Sequence, residues 1–190
     1  MTGPAWTVPS LLALTHRTAL VTGAGSSNGI GFATARLLGG LGATIAITAT
    51  TERVHERAEE LSRRGVKTLG VVVDLTDEAA VESAVDDVRA QLGPIEILVN
   101  NAGMTSQADP VLGQVSGGEE SGTVLALPPD AWRHGISRNL DTAYLVTRAV
   151  IPDMVDARWG RVVMVASVTG PVMAMRAEAA YAAAKAGLAA

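Results

Sequence analysis

Tyr181 and Lys185 stand four residues apart in the alanine-rich stretch AYAAAKAGL, residues 180–188. On a helix, residues at that spacing share a face, with Cβ atoms about 5–6 Å apart. A tyrosine hydroxyl with a pKa of about 10 exchanges protons poorly near neutrality. An ammonium group one turn away stabilises the tyrosinate and makes the exchange easier. Such a pair can hand a proton to an oxygen that gathers charge, as a carbonyl oxygen does when hydride adds to its carbon. Ser167 offers a hydroxyl that can hydrogen-bond that oxygen as the charge develops. Alone, Y-x-x-x-K suits a solvated helix face better, so the case depends on its company.

The company is a rhythm of short aliphatic runs. TALVT (18–22), TIAIT (44–48), TLGVVV (68–73), IEILV (95–99) and RVVMVA (161–166) are β-branched and bounded by Gly, Pro or polar residues. They read as fully buried strands. Helical segments fall between them at 30–41, 52–64, 77–92 and 130–157. The third stops at Gly93-Pro94, and the last contains Pro152, which is expected to kink or split it. Strand–helix alternation implies an α/β fold, with a parallel sheet, right-handed crossovers and helices on both faces. Residues 107–127, QADPVLGQVSGGEESGTVLAL, break the rhythm and read as a surface loop without a domain boundary.

The first run leads into TGAGSSNGIG (22–31) and then a helix. Glycines let a backbone turn tightly and approach a pyrophosphate, while the helix offers free N–H groups and its positive end. The strict G-x-G-x-x-G pattern fails at Asn28, and a P-loop fails because Ile30 follows Gly29. Asp74 closes the third run, Asn100-Asn101-Ala102-Gly103 follows the fourth, and Ser167 closes the fifth. All fall at the C-terminal ends of parallel strands, where open α/β sheets bind ligands.

Composition narrows the classes. A chain of 190 residues suits one domain, and 48% hydrophobic with 3% aromatic content means an aliphatic core. A net charge of −4 without a basic stripe speaks against nucleic acid. No run has the length of a membrane span, and MTGPAWTVPSLLALTHR lacks the features of a signal peptide. No cysteine is present, so there is no disulfide framework or thiolate metal site, and a cytoplasmic protein is expected. His16, His55 and His134 lie on different elements without metal-ligand spacing, so no metal is expected. Trp132 is expected to anchor its helix in the core.

From about Leu14 onward the chain resembles the short-chain dehydrogenases/reductases, and within them the 3-oxoacyl-(acyl carrier protein) reductases. The resemblance is carried by TGAGSSNGIG, VDLT (73–76), ILVNNAG (97–103), Trp132 with RNL (138–140), GRVVMVAS (160–167) and YAAAKAGL (181–188), in that order. It implies a Rossmann-type doubly wound sheet of strand order 3-2-1-4-5. Residues 1–13 then form an N-terminal extension, and 14–190 a nucleotide-binding domain. By the same resemblance Gly23, Gly29 and Gly31 line the pyrophosphate. Asp74 and the backbone of Leu75 hold the adenine, and Asn101, Ala102 and Gly103 sit beside the adenosine ribose. Asn100 braces the central strand. Gly25, Ser26 and Ile30 complete the cofactor set. Tyr181 is the implied acid/base, Lys185 its activator, Ser167 the carbonyl-orienting hydroxyl and Asn139 a member of a proton relay.

The chain departs from the family pattern in four places. The glycine turn carries two extra residues, leaving the roles of Gly25, Ser26 and Ser27 open. Ser167 to Tyr181 is one residue longer than usual, and 107–127 is an insertion. The family's later strands, helix and substrate loop have no counterpart, so the chain is expected to be a fragment. The second run ends ITATTER (47–53), without the acid that would bind a ribose 2′-OH. Thr50, Thr51 and Arg53 can receive a phosphate instead, which favours NADP(H) over NAD(H), although Glu52 could point inward. The missing acid, with Tyr181 and Lys185, also argues against a methyltransferase. The expected substrate is a small-molecule or acyl-thioester carbonyl, and the full-length protein is expected to be a homo-oligomer. The competing reading is an inactive truncated nucleotide-binding or interaction protein.

Overall fold

A computed structural model describes residues 10–103 and 122–190. Five parallel strands, β1 (Thr18–Val21), β2 (Thr44–Ala49), β3 (Thr68–Val72), β4 (Ile97–Asn100) and β5 (Arg161–Met164), form one sheet in the order β3-β2-β1-β4-β5. Around it lie α1 (Ile30–Gly40), α2 (Arg53–Ser62), α3 (Glu78–Leu92), α4 (Pro129–Ile136), α5 (Thr142–Asp156) and α6 (Ala179–Leu188). The order is the one expected from the sequence.

The central strands β1, β2 and β4 are largely aliphatic because both faces are covered. On one face Leu20, Ala46 and Leu98 pack with Val81, Val85 and Val88 of α3 and Val146 and Val150 of α5. On the other, Ala19, Val21, Ile45, Ile47, Ile97 and Val99 pack with Phe32 and Ala35 of α1 and Val54 and Leu61 of α2. Local signals set the helix ends. Asp77 caps α3 by accepting from Ala79 N (2.9 Å) and Ala80 N (3.2 Å), and Gly93 ends it at φ 97°.

The structure corrects the sequence reading in three places. The expected long helix is interrupted by a π-helical turn at Ser137–Asp141, not at Pro152, which lies within α5. The proline ring is exposed, and the turn beyond it is anchored. Asp153 accepts from Arg89 Nε (3.0 Å) and Ile95 N (2.8 Å), and Met154 is buried. Second, β5 is not a buried strand. It stands at the sheet edge with Val162 and Val163 exposed, because among the described residues only β4 pairs with it. Third, Trp132 is 39% exposed, since α4 packs on α6 beyond the sheet edge and away from both aliphatic clusters.

Of the expected loop at 107–127, residues up to 121 lie outside the described residues, as do residues 1–9 of the expected N-terminal extension. Gly122 forms an isolated parallel bridge with Glu178, and Leu127 N closes a turn on Thr123 O (2.9 Å).

Candidate active site

A cleft of about 560 Å³ runs along the C-terminal edge of the sheet. Its floor is the turn between β1 and α1, held to the end of β4 by Thr22. The buried Thr22 Oγ1 accepts from Asn101 N (3.0 Å) and Ala102 N (2.9 Å), while Asn101 Nδ2 donates to Thr22 O (2.9 Å) and Gly23 O (3.0 Å). Two glycines make this join possible. Gly23 has φ +68°, and a Cβ there would lie 2.8 Å from Ala102 Cα. At Gly31 a Cβ would lie 2.6 Å from Asn101 Nδ2. The two extra residues of the turn are taken up by a tight reversal in which Gly29 N donates to Ser26 O (3.2 Å). Helix α1 then starts at Ile30 behind Gly29, an N-cap with no side chain to offer, which leaves its first N–H groups to the cleft.

At the end of β2, Thr50, Thr51 and Arg53 line the cleft, and Arg53 Nε donates to Thr51 Oγ1 (3.3 Å). Glu52 does not line it, and pairs instead with His55 (3.2 Å) along α2. After β3, Asp74 Oδ1 accepts from Thr76 N (2.9 Å) and Thr76 Oγ1 (2.7 Å). These two bonds hold the carboxyl below its usual pKa, with a smaller contribution from the charges of Arg138 and His134.

The opposite end of the cleft holds Tyr181 and Lys185 on α6. Lys185 is 4% exposed, and its Nζ donates to Val165 O (2.9 Å) and lies 5.7 Å from the centre of the Tyr181 ring. Burial pushes its pKa below the usual 10.5. Asn139, 1% exposed in the π-helical turn, donates through Nδ2 to Gly135 O (3.0 Å), while its Oδ1 has no partner among the described residues. Asn139 Oδ1 and Lys185 Nζ both border Gly103, where a Cβ would lie 3.0 Å from the first and 3.4 Å from the second. An acidified lysine beside a tyrosine, with an unpaired buried acceptor nearby, is an arrangement that can move protons. The glycine cradle and the uncapped helix end fit a nucleotide pyrophosphate at the other end. Among the described residues no cluster of His, Asp or Glu could hold a metal ion.

Residues 17–190 match the short-chain dehydrogenase family. The chain belongs to that family. It is 36% identical over 178 residues to 3-oxoacyl-[acyl-carrier-protein] reductase FabG of Pseudomonas aeruginosa, covering 93% of this chain and 65% of the relative. It is 35% identical over 175 residues to oxidoreductase UcpA of Escherichia coli K12, covering 92% and 60%. A solved metagenomic short-chain oxidoreductase in complex with NADP superimposes with a TM-score of 0.79 at 33% identity, covering 93% of this chain and 73% of that one. The chain thus spans 60–65% of the length of these two curated relatives.

In this short-chain dehydrogenase every site residue expected from the sequence lines the cleft except Gly31, Asn139 and Ser167. Gly31 lies beneath it, packed on Asn101, and Asn139 lies behind Gly103. Ser167 Oγ accepts from Thr169 N (3.1 Å), within its own loop. Asn100 Nδ2 donates to Thr147 Oγ1 (2.8 Å), joining β4 to α5. Sequence reasoning missed Thr22 as the hub of the floor, although a hydroxyl closing an aliphatic strand was a visible signal. It also set His134 aside and gave Arg138 and Thr142 no role. All three line the cleft, and their spacing of four residues was the available sign.

Proposed function

We propose that the protein is an oxidoreductase that moves hydride between NADP(H) and a carbonyl or secondary alcohol. The observation that carries this reading is Lys185, buried and acidified beside Tyr181, at one end of a cleft whose other end is a glycine cradle. NADP(H), when bound, supplies the hydride. The N–H groups opening α1, with Gly23, Gly25, Ser26, Gly29, Ile30 and Gly31, hold its pyrophosphate. Asp74 and Leu75 take the adenine, and Asn101, Ala102 and Gly103 flank the adenosine ribose. Thr50, Thr51 and Arg53 receive the 2′-phosphate, and the outward turn of Glu52 supports that preference. Tyr181 gives its phenolic proton to the alkoxide, and Lys185 stabilises the tyrosinate left behind. The unpaired Oδ1 of Asn139 accepts in the path that reprotonates the pair. Ser167 steadies the carbonyl oxygen once its hydroxyl turns from Thr169.

The name of the Pseudomonas relative supports a 3-oxoacyl thioester as substrate, and we place the protein in the cytoplasm as a homo-oligomer. One observation favours binding without turnover: Ser167 is tied to Thr169 and lies outside the cleft lining. Titration with NADPH and NADH tests the cofactor reading. NADPH binds at least tenfold more tightly, and Arg53→Met abolishes the difference. Equal affinities in the unsubstituted protein contradict the 2′-phosphate reading.

A further inference from the structure

Gly170 lies in the connection from β5 to α6, between Ser167 and Tyr181. Its φ is +105°, a backbone conformation open to glycine and strained for other residues. A Cβ there would run into Ala182 O and lie 2.9 Å from Ala186 N and 3.1 Å from Ala182 C. Ala182 and Ala186 each follow directly on a reactive residue of α6, Tyr181 and Lys185. Among the described residues no other glycine would bring a Cβ so close to backbone. The connection therefore rests on the helix backbone itself, with no side chain between them.

The turn that presents Gly170 is closed on itself and on Ser167. Gly170 N donates to Met173 O (2.8 Å), and Val172 N and Met173 N both donate to Val168 O (3.1 and 3.0 Å). Thr169 is 3% exposed, and its N–H donates to Ser167 Oγ (3.1 Å). The bond from Lys185 Nζ to Val165 O (2.9 Å) joins the same two segments a second time. A methyl group added at Gly170 needs about 1 Å of extra room before its contacts reach ordinary separations. If α6 yields, Tyr181 and Lys185 move; if the turn yields, Ser167 moves. Either response changes the spacing between the two ends of the proton-transfer site.

We infer that Gly170 is a positioning residue, which seats the Tyr181–Lys185 turn of α6 against the segment that carries Ser167. The inference rests on the reductase reading above. It adds the contact that sets where the proton donor stands relative to the hydroxyl that steadies the carbonyl oxygen.

Gly170→Ala and Gly65→Ala, compared with the wild type, test it. Gly65 has φ +82°, lies outside the cleft lining and has nothing within 4 Å of an added Cβ. Its alanine variant carries backbone strain without a new contact. In Gly170→Ala, kcat for reduction of an acetoacetyl thioester falls about 100-fold, while NADPH affinity, read by its fluorescence, stays within about twofold. Amides of residues 182–188 exchange hydrogen about tenfold faster. Gly65→Ala matches the wild type in all three measurements. Gly170→Asn, which tolerates positive φ better but carries the same Cβ, takes the place of Gly170→Ala should the latter not fold. Unchanged exchange in α6 overturns the inference, because the helix then does not rest on Gly170. So does a kcat within about threefold of the wild type. An equal fall of kcat in Gly65→Ala overturns it too, since backbone strain alone then suffices. A wild type without turnover overturns the reductase reading and the positioning role with it, even where the exchange difference is seen.

Discussion

Replacing Thr22 by valine keeps the shape of a buried side chain and removes one oxygen. That oxygen is the acceptor for two amides, Asn101 N at 3.0 Å and Ala102 N at 2.9 Å. Its own donation to Val99 O is long, at 3.3 Å, and that carbonyl keeps Thr22 N at 3.0 Å, so little is lost there. A buried donor left without a partner costs about 1–3 kcal/mol. Asn101 and Ala102 are half-buried, which favours the lower part of that range. The two together should cost about 2–4 kcal/mol. For a protein of this size that lowers the melting temperature by about 5–15 °C. Thr22→Ser keeps the oxygen and loses a methyl group, for about 1 kcal/mol. Urea unfolding followed by circular dichroism, with NADPH titration alongside, measures both effects. Thr22→Val should also weaken NADPH binding, because the amides it releases belong to the cleft floor. A loss below about 0.5 kcal/mol, within the range of ordinary surface changes, refutes the argument. So does a serine variant as unstable as the valine one.

Two further outcomes follow from buried charges. Asp153→Ala strips Arg89 Nε and Ile95 N of their shared acceptor, whose side chain is 13% exposed. It should cost about 2–3 kcal/mol in urea unfolding, less than a fully buried pair because Arg89 keeps Asp86 and some solvent. A loss under about 0.5 kcal/mol contradicts this. Lys185 binds its proton less tightly in the native protein than in the unfolded chain, because burial lowers its native pKa. Native stability therefore rises with pH between that lowered value and the usual 10.5. Lys185→Met removes this increment, read as the difference in urea midpoints between neutral and alkaline pH. An identical slope in both proteins shows that burial does not acidify the lysine.

The sheet was legible because each buried strand is an unbroken aliphatic run and each crossover ends in Gly or Pro. The cleft was legible because Gly, Asp and Asn close those runs at one edge. The edge position of β5 followed from the expected order 3-2-1-4-5, but its exposure did not, since RVVM is as apolar as the paired strands. Pro152 misled because local chain stiffness was weighed without the anchor of Asp153 on Arg89 and Ile95. The π-helical turn has no composition of its own and is set by its contacts with α4, α5 and α6. Arg138 and His134 escaped notice for the same reason, because only that packing places their face in the cleft. Ser167 was expected in the cleft, yet its hydroxyl finds a nearer partner in Thr169 N.

The central claim is that Tyr181 gives the proton while other residues hold the cofactor. Reduction of an acetoacetyl thioester by NADPH, measured together with NADPH affinity in wild type and Tyr181→Phe, tests it most directly. The account predicts affinity unchanged within about twofold and turnover lowered by about 10²–10⁴. A phenylalanine variant that turns over as fast as the wild type contradicts it.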